Sequence, residues 1–195
     1  MAATDDTTAT LEPQLLDAAH RAIERHGWQA ATLERIAEEA GVSRMTLHRR
    51  KVSREAVLRA LGERLEAQHR EAMLTALAAP GSARERLAAA LEAECRLADD
   101  NLALAGALDT AGRDAIYHEQ RRPALTRDAF VAPYRRLLTD GAADGTLAVT
   151  DAEETATVLI NLVSHTYRHL RQEHGWDADR ARRSVCAIAL EGVAA

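Results

Sequence analysis

The spacing of three small or apolar residues constrains the fold of this 195-residue chain most. Ala37, Gly41 and Leu47 stand within the stretch TLERIAEEAGVSRMTLHRRKVSR, which covers residues 32–54. Gly41 falls where a tight turn needs a left-handed backbone, which glycine adopts at little cost. Because Ala37 is small, two helices can cross closely there. The spacing predicts two short helices fixed at one angle by three inward residues, Ile36, Val42 and Leu47.

Charge changes sign abruptly within the same stretch. Glu34, Glu38 and Glu39 precede the turn, and no acidic residue falls between Val42 and Arg54. Thr32 and Ser43 suit the N-caps of the two helices, and a helix N-terminus is electropositive. In a helix-turn-helix, the first residues of the second helix reach base edges in the major groove. The stretch therefore predicts binding to double-stranded DNA through Thr32, Ser43, Arg44, Met45, Thr46, His48, Arg49, Arg50, Lys51 and Arg54.

Composition confines the positive charge to that one face. The net charge is −5, and residues 1–58 hold eight Lys or Arg against nine Asp or Glu.

No secretory pattern and no apolar run long enough to span a bilayer is visible, so we expect a soluble cytoplasmic protein. Cys95 and Cys186 are expected to be free buried thiols, since nothing resembles a C-x-x-C motif.

Helical periodicity continues along nearly the whole chain, which has only six aromatic residues. We predict nine helices, with residues 1–12 as a disordered tail, residues 13–58 as a helix-turn-helix domain and residues 59–195 as a second helical domain. The first helix is predicted from Pro13 to His26, with Gly27 ending it. Capping boxes are predicted at Ser82–Glu85 and Thr150–Glu153, and an interruption at residues 99–101. The later helices are predicted as a sixth to Gly112, a seventh from Pro123 to Asp140 with a kink at Pro133, an eighth to His174, and a ninth from the Asp177 cap to Val193.

The N-terminal quarter resembles the tetracycline-repressor (TetR) family of bacterial regulators. The resemblance rests on LLDAAHRAIERHGWQAATLERIAEEAGVSRMTLHRR followed by SREAVLRAL, roughly residues 15–61. It implies an all-α, two-domain architecture, with a three-helix DNA-binding domain and a C-terminal domain for effector binding and dimerisation. It also implies a homodimer on a palindromic operator, released from it by a small-molecule effector, and most often acting as a repressor.

Carried over by position, the resemblance gives Thr32 a phosphate contact and places Arg44, Met45 and Thr46 where the family reads bases. His48 falls where the family usually has a phosphate-binding tyrosine, and Arg54 falls where a basic residue pins DNA. The chain departs from the family at Lys51-Val52, where an aromatic residue followed by proline is common. The extra charge leads us to expect stronger phosphate binding and a steeper salt dependence.

The eighth and ninth helices are apolar on more than one side, as expected of helices that face both their own core and a second subunit. We predict a two-fold interface that includes Val158, Leu162, His169, Val185, Cys186, Ala189 and Leu190. Inward polar or aromatic residues of the larger domain are candidates for an effector pocket. These are Cys95, Asn101, Phe130, Tyr134, Asn161, His165 and Tyr167.

A metal-binding or enzymatic role for the larger domain is the alternative, with the basic helix incidental. His165 and His169 have the i, i+4 spacing of a metal pair. No third ligand stands at matching spacing, and His174 is expected off that face. No nucleophile–base pair or glycine-rich phosphate loop is recognisable, so we predict no catalytic site, no metal and no cofactor.

Overall fold

The computed structural model describes the backbone of residues 11–116, 118–119, 122–126 and 128–195, and the side chains of residues 11–109 and 128–195. Nine helices lie in this part of the chain: α1 (Pro13–Ala30), α2 (Leu33–Glu39), α3 (Arg44–Arg49), α4 (Arg54–Ala78), α5 (Ala83–Asp100), α6 (Leu102–Ile116), α7 (Asp128–Asp144), α8 (Ala152–Gln172) and α9 (Ala178–Glu191). Two short strands, β1 (His118–Glu119) and β2 (Arg122–Thr126), pair in antiparallel fashion. The predicted all-α class with nine helices is confirmed.

Side-chain caps begin most of the helices where the sequence predicts them. The capping box of α5 is present: the Glu85 N–H donates to Ser82 Oγ, and the Ser82 N–H donates to Glu85 Oε2 at 2.8 Å. The prediction for α8 is wrong by one residue. Asp151, not Thr150, caps it, because its Oδ1 accepts from two backbone N–H groups at 2.9 and 3.0 Å.

Several helix boundaries differ from the predicted ones. The backbone of α1 breaks at Gly27 (φ +71°), as predicted, although helical residues continue to Ala30. The predicted start of the seventh helix at Pro123 is wrong, since β2 occupies residues 122–126 and α7 begins at Asp128. A residue that precedes proline favours extended backbone, which fits a strand at Arg122. The expected tail falls mostly on residues 1–10, which lie outside the described residues.

The chain divides into two compact units, residues 1–64 and 65–195. In the first unit, apolar residues of α1 to α4 are buried together, among them Ala18, Ile23, Ile36, Leu47, Val57 and Leu61. In the second, the core joins α5, α7, α8 and α9 and includes Leu87, Leu91, Leu137, Leu159, Val163 and Val185. The predicted functional boundary after residue 58 stays a prediction. Among the described helices, none combines the length and the apolar character needed to cross a membrane.

Close packing between α7 and the loop after it gives a stability prediction. Gly141 is buried, and a Cβ placed there would overlap with the Leu147 side chain, which is itself buried. We expect Gly141→Ala to lower the free energy of unfolding by about 1–3 kcal/mol because the core must shift. Urea denaturation followed by circular dichroism measures the change.

Gly106→Ala in α6 is the matched control for this prediction. Apart from its two chain neighbours and the nearby backbone of its own helix, no atom of the described part of the chain lies within 4 Å of a Cβ placed at Gly106. Alanine is the better helix former, so this variant should gain about 0.5–1 kcal/mol. Equal effects of the two substitutions would contradict the packing argument.

Candidate nucleic-acid interface

The turn between α2 and α3 has the predicted backbone. Thr32 caps α2 by accepting from the Arg35 N–H at 3.4 Å. Gly41 is left-handed, with φ +67°. This conformation lets the Gly41 and Val42 N–H groups donate to the Glu38 and Ala37 carbonyls at 3.0 and 2.9 Å. The end of α2 is therefore satisfied internally, and the chain turns directly into α3.

The packing beneath the turn differs from the prediction at one residue. Ile36 and Leu47 are buried as expected, but the Val42 side chain is 36% exposed, so its predicted inward position is wrong. Val52 takes a place in the core instead: its side chain is buried and its N–H donates to the Leu47 carbonyl at 3.0 Å. Val52 stands in one of the two positions where the chain departs from the family pattern. At this position, therefore, the Val52 side chain completes the core of the unit.

Helix α3 presents its first residues outward. Ser43 Oγ accepts from the Thr46 N–H at 3.1 Å, which caps the helix while leaving its electropositive end directed at the surface. Arg44, Met45, His48 and Arg49 are exposed around the helix, and Met45 is 70% exposed. Thr46 is half-buried beside the cap. The exposed methionine can contact the methyl group of a thymine base, and the arginines beside it can bind phosphates.

The end of α3 carries the departure Lys51-Val52. Lys51 is the one non-glycine residue of the described backbone with positive φ, at +54°. This left-handed residue ends the helix, and its N–H donates to the His48 carbonyl at 3.0 Å. Arg50 and Lys51 are both exposed. The basic run therefore continues past the helix, on the surface.

Two predicted DNA contacts are held by acidic residues within the unit. Arg44 Nη1 lies 2.8 Å from Glu34 Oε1, and Arg50 Nη1 lies 3.0 Å from Glu12 Oε1. The pKa of Glu34 is lowered by its own backbone N–H, by the Thr32 hydroxyl and by Arg44. Both pairs are exposed, so solvent and salt screen them and phosphates can compete for the arginines.

Arg54 contacts Trp28 within the same unit. Its guanidinium lies 4.2 Å from the centre of the Trp28 ring, and its Nη2 donates to the Trp28 carbonyl. Both side chains are half-buried. The contact to DNA that the resemblance implies for Arg54 stays a prediction. The structure adds a packing role, since Arg54 fixes the start of α4 against the end of α1.

The second unit contains a buried polar cluster that the sequence analysis missed. It consists of the five buried polar residues of the described chain, which together line a cavity of about 20 Å³: His69, Glu94, Asn101, Ser164 and Arg168. Of these, only Asn101 was predicted. A cavity of this volume holds about one water molecule. The clearest signal in the sequence was Arg168, a cationic residue within the apolar stripe of α8.

His69 and Glu94 form the centre of this cluster. His69 Nδ1 lies 3.0 Å from Glu94 Oε2, and the His69 ring is completely buried, 4.9 Å from the Phe130 ring centre. A carboxylate acceptor favours the tautomer with hydrogen on Nδ1, which leaves Nε2 as an acceptor. His69 Nε2 has no hydrogen-bond partner among the described residues. His69 Nε2 is therefore available to accept a further hydrogen bond.

Arg168 is satisfied on each of its nitrogen atoms. Nη1 donates to Asp109 Oδ2 at 3.0 Å, Nε donates to the Ser164 carbonyl at 3.3 Å, and Nη2 donates to His165 Nδ1 at 2.8 Å. A buried guanidinium needs such pairing because an unpaired buried charge is costly. The contact also makes His165 Nδ1 an acceptor.

The predicted effector-pocket residues do not all meet. Asn101 and Phe130 line the cavity, and the Tyr134 ring centre lies 6.4 Å from that of His69. Burial and the nearby Glu94 carboxylate raise the pKa of Tyr134. The remaining four have contacts of their own. Cys95 lies against Cys186, Asn161 donates to the Thr157 carbonyl, His165 is exposed beside Arg168, and Tyr167 donates to Asp99.

The histidines of α8 are placed differently from the metal-pair arrangement. His165 accepts from Arg168, and the His169 ring packs edge-on against His174, with centres 5.0 Å apart. His174 therefore contacts one histidine of the predicted pair, and its expected position off the face shared by His165 and His169 stays a prediction. Among the described residues, no group of three or more His, Cys, Asp or Glu has the arrangement of a metal site.

The predicted interface residues of α8 and α9 fall into two groups. Val158 (57% exposed) and Leu162 (38% exposed) face outward, and His169 is exposed. Val185, Cys186 and Ala189 are buried in the core of their own unit, and Leu190 is half-buried. Ala189 also lines the groove beside Ile188, and the place of these four residues in an interface stays a prediction. On α9 the outward apolar residue is Ile188, which is 68% exposed. We call Val158, Leu162 and Ile188 the apolar face; they line a groove of about 280 Å³.

Comparisons with known proteins agree with this geometry. Residues 15–61 match the family model described as bacterial regulatory proteins, tetR family. No curated protein sequence matches the chain. The fold is similar to that of a TetR/AcrR family regulator from Thermobifida fusca YX-ER1, with a TM-score of 0.70 and 24% identity over 92% of this chain and 96% of that one.

Two further solved structures share the fold. A putative TetR-family regulator from Rhodococcus sp. has a TM-score of 0.68 and 23% identity over 93% of this chain and 97% of its own. The TetR-family regulator PfmR from Thermus thermophilus has a TM-score of 0.69 and 17% identity over 92% of this chain and 98% of its own. The resemblance seen in the sequence is confirmed.

The Arg54–Trp28 contact can be tested without DNA. Arg54→Lys keeps the charge but loses the planar stacking and its hydrogen-bond geometry. We expect the free energy of local opening of α1 to α3 to fall by about 1 kcal/mol, which amide hydrogen exchange measures. Arg59→Lys, on an exposed position of α4, is the control. Equal exchange in both variants would show that Arg54 does not stabilise the unit.

Proposed function

We propose that this chain, a TetR-family DNA-binding regulator by the match over residues 15–61 and by its fold, binds a palindromic operator as a homodimer in the cytoplasm. One copy of α3 would enter the major groove at each half-site. An effector held in the second unit would change the affinity of the dimer for the operator. Repression by occupying the operator is the outcome we expect.

The surface of α3 carries this proposal. A capped helix N-terminus, exposed arginines and the absence of acidic residues from Val42 to Arg54 give one locally positive face on an acidic chain. Such a face binds phosphates through charge and reads bases through the first residues of the helix. Arg44 is best placed to read a base edge, because it is the first residue of α3 and is exposed. Arg49, Arg50 and Lys51 would contact phosphates.

The apolar face supports the homodimer. Three large apolar side chains exposed on two adjacent helices cost free energy in water, which a second copy of the same face removes. A two-fold axis through this face would pair α8 and α9 with their copies in a four-helix interface. Two recognition helices about 34–36 Å apart then match successive major grooves on one side of the duplex.

The buried polar cluster is where we place the effector. Polar groups inside an apolar core are costly unless they are paired, and among the five residues of the cluster only His69 has an open nitrogen, Nε2. The cavity holds about one water molecule, so an effector would bind only after the cavity has widened. A ligand that donates a hydrogen bond to Nε2 would then complete the set, with Phe130 and the aliphatic lining residues against its apolar part. An effector that binds one spacing of the recognition helices more tightly would shift the operator equilibrium.

Substitutions in and after α3 separate base reading from phosphate binding. We expect Arg44→Ala to lower operator affinity by about 1–3 kcal/mol and to relax the preference at one base pair, because a bidentate base contact is lost. Lys51→Ala should weaken binding to all sequences alike and reduce the salt slope by about 1. Fluorescence anisotropy over a salt series, on the selected operator and its single-base variants, measures both effects.

Arg136→Ala, an exposed arginine on α7, controls for the loss of one charge. It should leave both affinity and salt slope unchanged. Unchanged binding by Arg44→Ala together with Arg49→Ala would refute the proposed role of α3.

The homodimer is tested by placing a charge on the apolar face. Ile188→Glu should raise the dimer dissociation constant at least about thirtyfold, which corresponds to about 2 kcal/mol in the free energy of association. The carboxylate would be buried against a second apolar face. Sedimentation velocity over a concentration series measures this. Leu74→Glu is the matched control, since Leu74 is 60% exposed but lies outside the groove. Equal dimerisation in both variants would move the interface elsewhere.

A further inference from the structure

The two cysteines of the chain meet in the core of the second unit. Cys95 on α5 and Cys186 on α9 are 91 positions apart in sequence, yet their Sγ atoms lie 3.8 Å apart. This is van der Waals contact between sulfur atoms, and a disulfide bond is shorter by about 1.7 Å. Side-chain rotation, with a small approach of the two helices, would have to cover that difference. No part of the proposed DNA-binding function uses these thiols.

We propose that Cys95 and Cys186 form a redox-active dithiol that a peroxide oxidises to an intramolecular disulfide joining α5 to α9. This inference goes beyond the proposed function and does not depend on it. It rests on the contact of the two sulfur atoms and on their different surroundings.

Those surroundings assign different roles to the two thiols. Cys95 is completely buried, whereas Cys186 retains 7% exposure, so a small oxidant reaches Cys186 first. Donation from the Cys95 thiol lowers the pKa of Cys186, and Arg182 and Arg96 lower it further, against the opposing effects of burial and Glu92. The same hydrogen bond, then burial, raises the pKa of Cys95. Cys186 is therefore the better nucleophile, and Cys95 is the resolving thiol.

The chemistry balances with one molecule of hydrogen peroxide. The Cys186 thiolate attacks one peroxide oxygen, an S–O bond forms and the O–O bond breaks, and the hydroxide that leaves takes up the thiol proton as water. Cys186 is then a sulfenic acid. The Cys95 sulfur attacks the Cys186 sulfur, an S–S bond replaces the S–O bond, and the second hydroxide leaves with the Cys95 proton as water. Both thiols are oxidised and the peroxide is reduced to two waters.

The bond would cross-link the helix that carries Ile188 to the centre of the core. Helix α9 holds Ile188 only two positions after Cys186. Oxidation would therefore restrain one side of the apolar face relative to α5. The reduced and oxidised proteins would present this face differently to a second copy.

The test uses the full-length reduced protein and hydrogen peroxide. After exposure, the chain is denatured in N-ethylmaleimide and its intact mass is measured with and without prior reduction. We expect the oxidised chain to be lighter than the reduced chain by two hydrogen atoms, to take up no maleimide and to regain both thiols with dithiothreitol. Two alkylated thiols at doses that oxidise free cysteine would overturn the proposal. So would a disulfide between two chains, or a sulfinic acid without a cross-link.

Single substitutions test the order of the two steps. In Cys95→Ser the resolving thiol is gone, so dimedone should trap a sulfenic acid at Cys186. In Cys186→Ser the remaining Cys95 should stay reduced at the same dose. The opposite pattern would overturn the assigned roles. Because the wild-type measurement needs no variant, the proposal stays testable even where serine in the core reduces stability.

Discussion

The left-handed backbone at Gly41 fixes the geometry on which the proposed DNA recognition depends. It lets two N–H groups satisfy the last carbonyls of α2 and sends the chain into the Ser43 cap within two residues. Any residue with a Cβ would be strained at this φ, so the crossing of α2 and α3 would relax. The direction of every exposed side chain on α3 follows from that crossing. The arginines matter only because this turn holds them on one outward face.

Local sequence rules predicted the parts of the structure that local interactions build. The caps at Thr32, Ser43, Ser82 and Asp177, and the turn at Gly41, all depend on residues within five positions of one another. The same rules misplaced the cap of α8, because Thr150 and Asp151 are both good capping residues and only the structure shows which one the backbone reaches. They also predicted helix across residues 123–126, where the pairing of β2 with β1 decides the structure.

Contacts between distant residues were beyond the sequence. His69 and Glu94 are 25 positions apart, Arg168 and Asp109 are 59 apart, and the two cysteines are 91 apart. No periodicity brings such residues together in a sequence, so the buried polar cluster was missed and Cys95 was assigned to the effector pocket. Helical periodicity also failed to divide α9. The helix is apolar on more than one side, so its sequence does not show which side is buried. The packing of α5 against α9 decides that Val185 is buried while Ile188 is exposed.

Burial and exposure in the second unit both run against simple hydrophobic sorting. A histidine, a glutamate and an arginine lie inside, while two aliphatic residues of the apolar face, Val158 and Ile188, are more than half exposed. The first arrangement is stable because the charged groups are paired, and the open His69 nitrogen suits a ligand. The second becomes favourable when a like surface covers it. The proposed ligand site and the proposed subunit interface would together account for both departures.

Selection of bound DNA from a random pool, followed by hydroxyl-radical footprinting of the selected site, tests whether two copies of the chain read DNA through α3. We predict a two-fold sequence with half-sites centred about one helical turn, 10–10.5 base pairs, or a multiple of it apart. Protection should fall on one face of the duplex at two copies of the chain per site. A single unrepeated half-site, or recovery of sequences without any preference, would contradict a dimer that reads DNA through α3.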